Sequence, residues 1–402
     1  MALGIEQGSL YDVAIVGAGP AGSSMAAVLA QRGWHVLLVE RDTFPRHKVC
    51  GEFISPEAQD TLHRLGLYEE IATRKPLPLN SVKISSCHGR TLQRGLPGEA
   101  WGLSRYEFDA GLAKAAVARG VELRTATTAT RYELCGGKAE LQLRDTQQST
   151  RINARTVIMA YGRSPLPGLT PSGGTQALPS RGRCVGAKCH YTNVQMERQV
   201  ELYFFPGGYA GLNPVEGGHV NLCLLATYAA FARAGRSIEG IMQAAINGNP
   251  RLAQRMAGAQ AVPETQCAVA PVDTYRAAQP WRTVAQLGDS AVMLPPLCGD
   301  GMAMALRSAE LCAPLADAYL REQLSLSAWQ KNYHRLWSQE FSQRVRLGRW
   351  LQQLLLVPLL ADGMLLTGSL VPTLADYFIT STRGAVAADP ISLARRSGYP
   401  IV

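Results

Sequence analysis

The sequence predicts an α/β protein, and three observations predict it. Tyr11–Asp42, YDVAIVGAGPAGSSMAAVLAQRGWHVLLVERD, runs from an apolar β-branched stretch through a glycine-rich turn into a helical stretch and a second apolar run. Far along the chain another apolar run, Thr283–Leu287, ends in Gly288-Asp289-Ser290 and leads to a second glycine-rich helix start at Gly299–Gly301. Between them, from Arg183 to about Val272, the pattern is strand-like. Helices alternating with buried strands at both ends, around a β-rich middle, give the class.

The first of these stretches carries the most chemistry. Val13–Val16 is short and β-branched enough for a buried strand, Ser23–Arg32 has helical periodicity, Gly33 closes that helix and Val36–Val39 is the next strand. Gly17, Gly19 and Gly22 stand in G-x-G-x-x-G spacing, where the first permits a tight turn, the second lets backbone approach a pyrophosphate and the third lets the helix pack close. The helix start then offers free N–H groups to phosphate, and Glu40 ends the second strand where a carboxylate accepts from a ribose hydroxyl. Strand, helix and distal acid together predict a Rossmann-type dinucleotide site.

The loop from Arg41 to Pro56 holds too many special residues for a linker, and Glu57–Leu67 reads as a helix. Ser81–Ser86 and Thr91–Leu96 suggest a hairpin, and Ser104 with Glu107 forms a capping box that opens a helix to Arg119. Val121–Ala126, Thr130–Leu134, Lys138–Leu143 and Thr156–Ala160 read as strands, with a turn at Gly136-Gly137. Ser164–Ser180 is rich in Gly, Pro and Ser and marks a crossover to a second domain. Val200–Phe205 and His219–Ala226 are strands, with a helical patch at Ser237–Ile246. A long helix follows Gly301 to Leu320, and Leu324 to about Thr382 is helical and apolar-rich.

Composition narrows the classes. A chain of 402 residues, 47% hydrophobic and 18% charged, is globular and large enough for two or three substructures. Its net charge of +9 comes with no nucleic-acid motif, so an anionic cofactor and a membrane surface are the expected partners, not nucleic acid. Nine scattered cysteines without metal spacing read as reduced cytoplasmic thiols and predict no metal site. The N-terminus carries no secretory pattern, and the most apolar stretch, Leu351–Leu370, is broken by Pro358 and Asp362, against a spanning helix.

Leu287–Ser308, LGDSAVMLPPLCGDGMAMALRS, is the second informative stretch. A strand ending in Gly-Asp sets Asp289 at the carboxyl edge of a sheet, and Gly299-Asp300-Gly301 opens a helix with exposed N–H groups. Paired with VGAGPAG and VERD, this stretch resembles the large flavoprotein superfamily with the para-hydroxybenzoate hydroxylase fold. Phe44–Ala58, FPRHKVCGEFISPEA, most resembles its geranylgeranyl reductase-like branch, whose members carry a K-x-C-G loop here.

The resemblance implies one bound FAD, a β-sheet substrate domain inserted in the FAD-binding domain, and a C-terminal helical segment. On that reading residues 1–80, 101–165 and 281–322 bind FAD, 81–100 is a substrate-domain hairpin, 166–280 the substrate domain and 323–402 the helical segment. Gly17, Gly19 and Gly22 match the pyrophosphate glycines and Glu40 the ribose acid, with Arg41 also expected at the cofactor. Arg105 matches an arginine that approaches the cofactor, and Asp289 the carboxylate by the ribityl chain. Gly299 and Gly301 match the backbone beside the isoalloxazine, with Pro296 and Met302 also expected at the cofactor, and Lys48, Cys50 and Gly51 match the loop over the ring.

Cys50, near Lys48 and His47, is a candidate catalytic thiol, and Glu52 a candidate acid. Tyr203, Phe205 and Tyr209 line either the pocket or the core. Hydroxylases of this fold carry Asp-Gly where this chain has Tyr161-Gly162, which points to an external flavin or NAD(P)H reductase. The expected activity is FAD-dependent oxidoreduction of a hydrophobic small molecule, prenyl- or polyketide-like, with double-bond reduction leading. Monooxygenation through a flavin hydroperoxide and electron transfer to a partner protein are the alternatives. The tail helices, read as amphipathic pieces over Leu351–Leu360 and Met364–Leu374, pack on the FAD domain or form a lipid-facing mouth with Arg344, Arg346 and Arg349.

Overall fold

The structure, a computed structural model, describes residues 4–135, 138–163 and 183–381. The Gly136-Gly137 turn, the 164–180 crossover and the end of the tail lie outside them.

Two sheets carry the fold. The first has six strands in the order Glu122–Arg124, Val36–Val39, Gly4–Val16, Ser149–Met159, Lys138–Arg144, Thr128–Cys135. Its first four strands are parallel and the last two turn back antiparallel. Val36–Val39 is buried at every position, as a parallel strand covered on both faces must be. Val13 and Ile15 point into a core shared with the helices Pro20–Gln31, Arg105–Ala118 and Gly301–Leu320, while Ala14 and Val16 face the antiparallel strands. Half of the capping box forms: Ser104 accepts from the Glu107 N–H at the start of Arg105–Ala118, while the Ser104 N–H goes to Glu216 and the Glu107 carboxylate to Arg74.

The second sheet has eight strands, in the order Gln260–Asp273, Arg183–Thr192, His219–Thr227, Gly208–Val215, Gln199–Phe205, Leu77–Ser85, Thr91–Gly102, Phe53–Ile54. All pairings are antiparallel except Gln199–Phe205 with Leu77–Ser85. Ile238–Asn247 and Pro250–Arg255 cover one face through Ile241, Met242, Ala245 and Leu252. Tyr203, Phe205 and Tyr209 are buried core residues, the Tyr203 hydroxyl donating to Glu201.

Three readings change. Thr283–Leu287 makes only single bridges, Met159 with Gln286 and Trp281 with Ala285. The tail divides at Pro358, which cannot continue a helix: Leu326–Leu355 is one long helix, and Pro358–Leu370 leaves it at 110°. Only the long helix packs on the first sheet's core, through Trp329, Tyr333, Trp337 and Phe341. Pro358–Leu370 and Pro372–Ser381 cover the second sheet instead, with Leu365 and Ala375 against Leu92 and the Arg94 guanidinium donating to the Gly368 carbonyl at 2.8 Å. Arg344 and Arg349 are also engaged internally, with Glu340 and with the carbonyls of Thr274 and Arg276, leaving Arg346 as the exposed one of the three. No single helix among the described residues is long and apolar enough to cross a membrane.

Within the first sheet, glycine is obligatory where the turn after Gly4–Val16 crosses its neighbouring strand and enters Pro20–Gln31. A Cβ on Gly17, at φ +101°, would lie 2.4 Å from the Ala160 carbonyl oxygen, and one on Gly22 would lie 1.8 Å from that of Gly17. Gly22→Ala should therefore lower stability by about 1–3 kcal/mol, as overpacking does, read from the midpoint shift of urea unfolding.

Candidate active site

A cleft of about 400 Å³ opens at the carboxyl ends of the parallel strands. Gly17, Gly19, Glu40, Arg41, Lys48, Cys50, Gly51, Arg105, Asp289, Pro296, Gly299, Gly301 and Met302 all line it, and Glu52 joins them. Gly22 does not, since its part is the close packing behind the turn.

The polar groups of this cleft suit an elongated dinucleotide. Pro20–Gln31 starts at Gly19 with no side-chain cap, so its first N–H groups face the cleft and can receive phosphate. Glu40 takes the Ala18 N–H at 2.9 Å on one oxygen, while its other accepts only from the Asp42 N–H at 3.2 Å and keeps a lone pair for a hydroxyl. The carboxylate of half-buried Asp289 accepts from no described residue and faces the same space. Burial raises its carboxyl, against the opposing charges of Arg163, Arg105 and Arg276. Arg276 clamps that turn through the carbonyls of Asp289 and Ser290 at 3.0 and 2.9 Å. At the far end Gly301–Leu320 also begins without a side-chain cap, a second N-terminus suited to negative charge. An orphan carboxylate and two uncapped helix starts in one cleft fit FAD.

Arginines organise the middle of the cleft, and one of them escaped the sequence reading. Asp109, fully buried, accepts from Arg105 Nε and Nη2 at 2.7 Å each and from Arg46 Nη1 at 2.5 Å. Burial alone would raise its carboxyl, but the two guanidiniums outweigh burial and hold it below the usual range. Arg46 also reaches Glu40 at 3.2 Å, so one side chain ties the ribose acid to the helix behind it.

The Cys50 loop differs from expectation in its partners. Lys48 turns to Asp42, 2.5 Å away, and Cys50 has the Arg105 guanidinium as its neighbouring cation instead. The thiol accepts the Glu52 N–H at 3.4 Å, and Asn221 holds the Cys50 carbonyl at 3.1 Å. Glu52 itself sits at φ +56° with no exposed surface. Lys188 Nζ stands 2.5 Å from one of its oxygens and His190 Nε2 2.6 Å from the other, while the Arg105 N–H donates at 3.0 Å. Burial would raise this carboxyl, but His190 and Lys188 outweigh it and lower it, so Glu52 rests as a carboxylate. Lys188 and His190, which sequence reading missed, thus share in the proton chemistry expected of Glu52. Alternation in Arg183–Thr192, with Lys188 and His190 on one face of a buried strand, is the signal that could have found them.

A family model described as FAD binding domain matches residues 10–328. Digeranylgeranylglycerophospholipid reductase 2 of Methanopyrus kandleri is 27% identical over 338 residues, covering 82% of this chain and 83% of the relative. Among solved structures, a geranylgeranyl bacteriochlorophyll reductase-like protein from Thermoplasma acidophilum superposes with a TM-score of 0.75 at 20% identity, covering 99% of this chain and 98% of that one. The flavin-dependent brominase Bmp2 gives 0.75 at 17%, covering 97% and 98%.

Removing the Asp109 charge leaves two cations facing each other in the cleft. Asp109→Asn should cost about 3–5 kcal/mol at pH 7, the range for a broken buried pair. The native carboxyl is lowered, so its contribution is complete above about pH 4, the unfolded value, and disappears as pH falls through the folded value. Urea unfolding curves of the two proteins should therefore differ at neutral pH and converge in acid.

Proposed function

The chain belongs to the FAD binding domain family and is an FAD-dependent oxidoreductase, and we propose that it reduces carbon–carbon double bonds of a prenyl-like hydrophobic molecule. One observation carries this reading: the cleft has an apolar end that continues to an exposed apolar surface. Val269, Met293 and Leu294 line that end, and Val269 and Met293 pack with Leu297, Leu355 and Leu356 at the bend of the tail. Beyond the bend, Val357, Leu359, Leu360, Leu366 and Leu370 are exposed, Leu359 to 78% and Leu370 to 74%. A long apolar chain lying on this surface would meet the side chains that wall the apolar end of the cleft. The 27% identical relative, a lipid reductase over most of its length, supports the same class.

When bound, FAD supplies the two-electron chemistry, delivering a hydride to one carbon of the double bond. The residues of this chain orient the substrate, exclude water and manage the proton for the other carbon. Arg105 and Cys50 bound the cleft beside Glu52, and the Phe53 ring stands 3.1 Å from where a Gly299 Cβ would be, closing the wall. Tyr161, in place of the hydroxylases' acid, lines the cleft without offering a carboxylate to a nicotinamide donor. Electrons then come from a separate reductase or reduced carrier.

The test is anaerobic turnover of a geranylgeranyl phospholipid dispersed in detergent, with dithionite as electron source and mass spectrometry as readout. The product should gain two hydrogens per double bond, and NADPH alone should bleach the bound flavin slowly. A product that instead gains oxygen under air, with no reduction under anaerobic conditions, overturns the reading in favour of monooxygenation.

The same exposed surface makes peripheral contact with a bilayer part of this proposal. Vesicles should carry the protein in flotation assays, and Leu359→Asp with Leu370→Asp should reduce the floated fraction at least fivefold. Equal flotation of the double variant would remove the membrane from the account.

A further inference from the structure

Beneath the cleft lies a cluster whose contacts no fixed set of protons satisfies. Lys188 Nζ stands 2.5 Å from Glu52 Oε1, 3.0 Å from His190 Nε2 and 3.4 Å from His47 Nδ1. His190 Nε2 lies 2.6 Å from Glu52 Oε2. Two lone pairs do not approach that closely, so a proton lies in the Nε2–Oε2 contact. If Nε2 carries it, the 3.0 Å approach of Nζ sets two donors face to face. If Nε2 instead accepts from Nζ, the proton of the other contact sits on Glu52. The two arrangements interconvert by moving protons along Nζ, Nε2 and Oε2. Ligand atoms of His47, Glu52 and His190 fall within 4.8 Å of one another, a spacing that suits a cation, and the Lys188 ammonium already supplies it.

The cluster is closed on one side and open on the other. Lys188 has no exposed surface and His190 3%. His47 lines the cleft and stacks on Tyr106, which is 37% exposed, at 4.8 Å between rings. Burial, then the charges of Lys188 and His190, lower the His47 ring to about 4, so at neutral pH it is uncharged and can relay a proton without storing one. The other titratable and charged groups facing the cluster are Arg105 and Cys50 at Glu52, Cys223 and Cys267 flanking Lys188 in register, and His219 stacked on His190. Lys48 and Arg163 stand further out. Burial raises both flanking thiols, which leaves them protonated and outside the exchange.

We propose that Lys188, His190 and Glu52 are a proton store under the cleft, refilled through His47, that supplies the second proton of the reduction. The inference rests on the double-bond reduction proposed above. Saturating one such bond takes two electrons and two protons. The hydride brings both electrons and one proton, the electrons originating from a reduced nicotinamide or carrier protein. Glu52, a carboxylate at rest, takes a proton from His190 and, as the member that lines the cleft, passes it to the second carbon. A proton then moves from Nζ to Nε2, and His47 returns one to Nζ from water.

The test uses the FAD-loaded protein and Lys188→Met, Lys188→Arg and His190→Gln. One readout needs no substrate: proton uptake from weak buffer, followed by an indicator dye, as bound flavin is photoreduced without oxygen. The other is the first turnover of the geranylgeranyl phospholipid in water and in deuterium oxide. Each variant should retain FAD within about twofold affinity, show delayed dye uptake, and lose about 100-fold in first-turnover rate, the scale of a lost general acid. Lys188→Arg keeps the cation but, staying protonated, does not give a proton up, so it should not restore the rate. Full activity in Lys188→Arg, or unchanged uptake in all three, overturns the store and leaves a fixed ion pair. Should Lys188→Met fail to fold, His190→Gln keeps the Lys188–Glu52 pair and decides alone. A wild type that leaves the lipid untouched, with dye uptake still delayed in the variants, refutes the reduction and retains the store.

Discussion

Glu52 has no exposed surface, and a carboxylate in that position must be paired on every side. Its pairing assembles the molecule. Arg105 N–H comes from the helix behind the first sheet, Lys188 and His190 from a strand of the second. Its own carbonyl accepts from Leu103 N–H and from Asn213, again one from each side. A single residue at φ +56° thus joins the loop over the cleft, the first sheet's helix layer and the second sheet. Backbone in that conformation is costly for a side chain bearing a Cβ, and it persists because five contacts over-determine it.

The glycine crossing does the complementary work. Where Glu52 draws the sheets together by charge, Gly17 and Gly22 let backbone approach backbone by omitting a side chain. The closeness of that crossing sets where Pro20–Gln31 begins, and hence where its free N–H groups face. Phosphate binding in this cleft is therefore a product of packing, while the chemistry at its other end depends on buried charge.

How much of this was legible in the sequence follows from the range of each interaction. The dinucleotide motif is local: strand, turn, helix and Glu40 lie within one supersecondary unit, and Ser104 finds Glu107 within a single turn. Asp289 and Gly301 were legible for the same reason. Arg46 and the Lys188–His190 pair were not, because their meaning lies in partners far off in the chain, Asp109 for one and Glu52 for the other. A basic side chain on a strand reads as surface until the second sheet closes over it. Lys48 misled in the opposite way, since nearness to Cys50 in sequence gave no warning that Asp42 holds it. The tail was read as helical on composition, but only the three-dimensional bend at Pro358 assigns its halves to different sheets.

That bend gives the tail more than a covering role. Arg349, near the end of the long helix, donates to the carbonyls of Thr274 and Arg276 at 2.8 and 2.6 Å. Arg276 in turn holds the carbonyls of Asp289 and Ser290. The helix end that carries the apolar bend is therefore two hydrogen-bonded steps from the Asp289 backbone. Leu355 and Leu356, one turn further, pack into the apolar end of the same cleft. One helix thus reaches the Asp289 turn through Arg349 and Arg276 while its last residues pack against the apolar wall, so both ends of the cleft are held by a single rigid element.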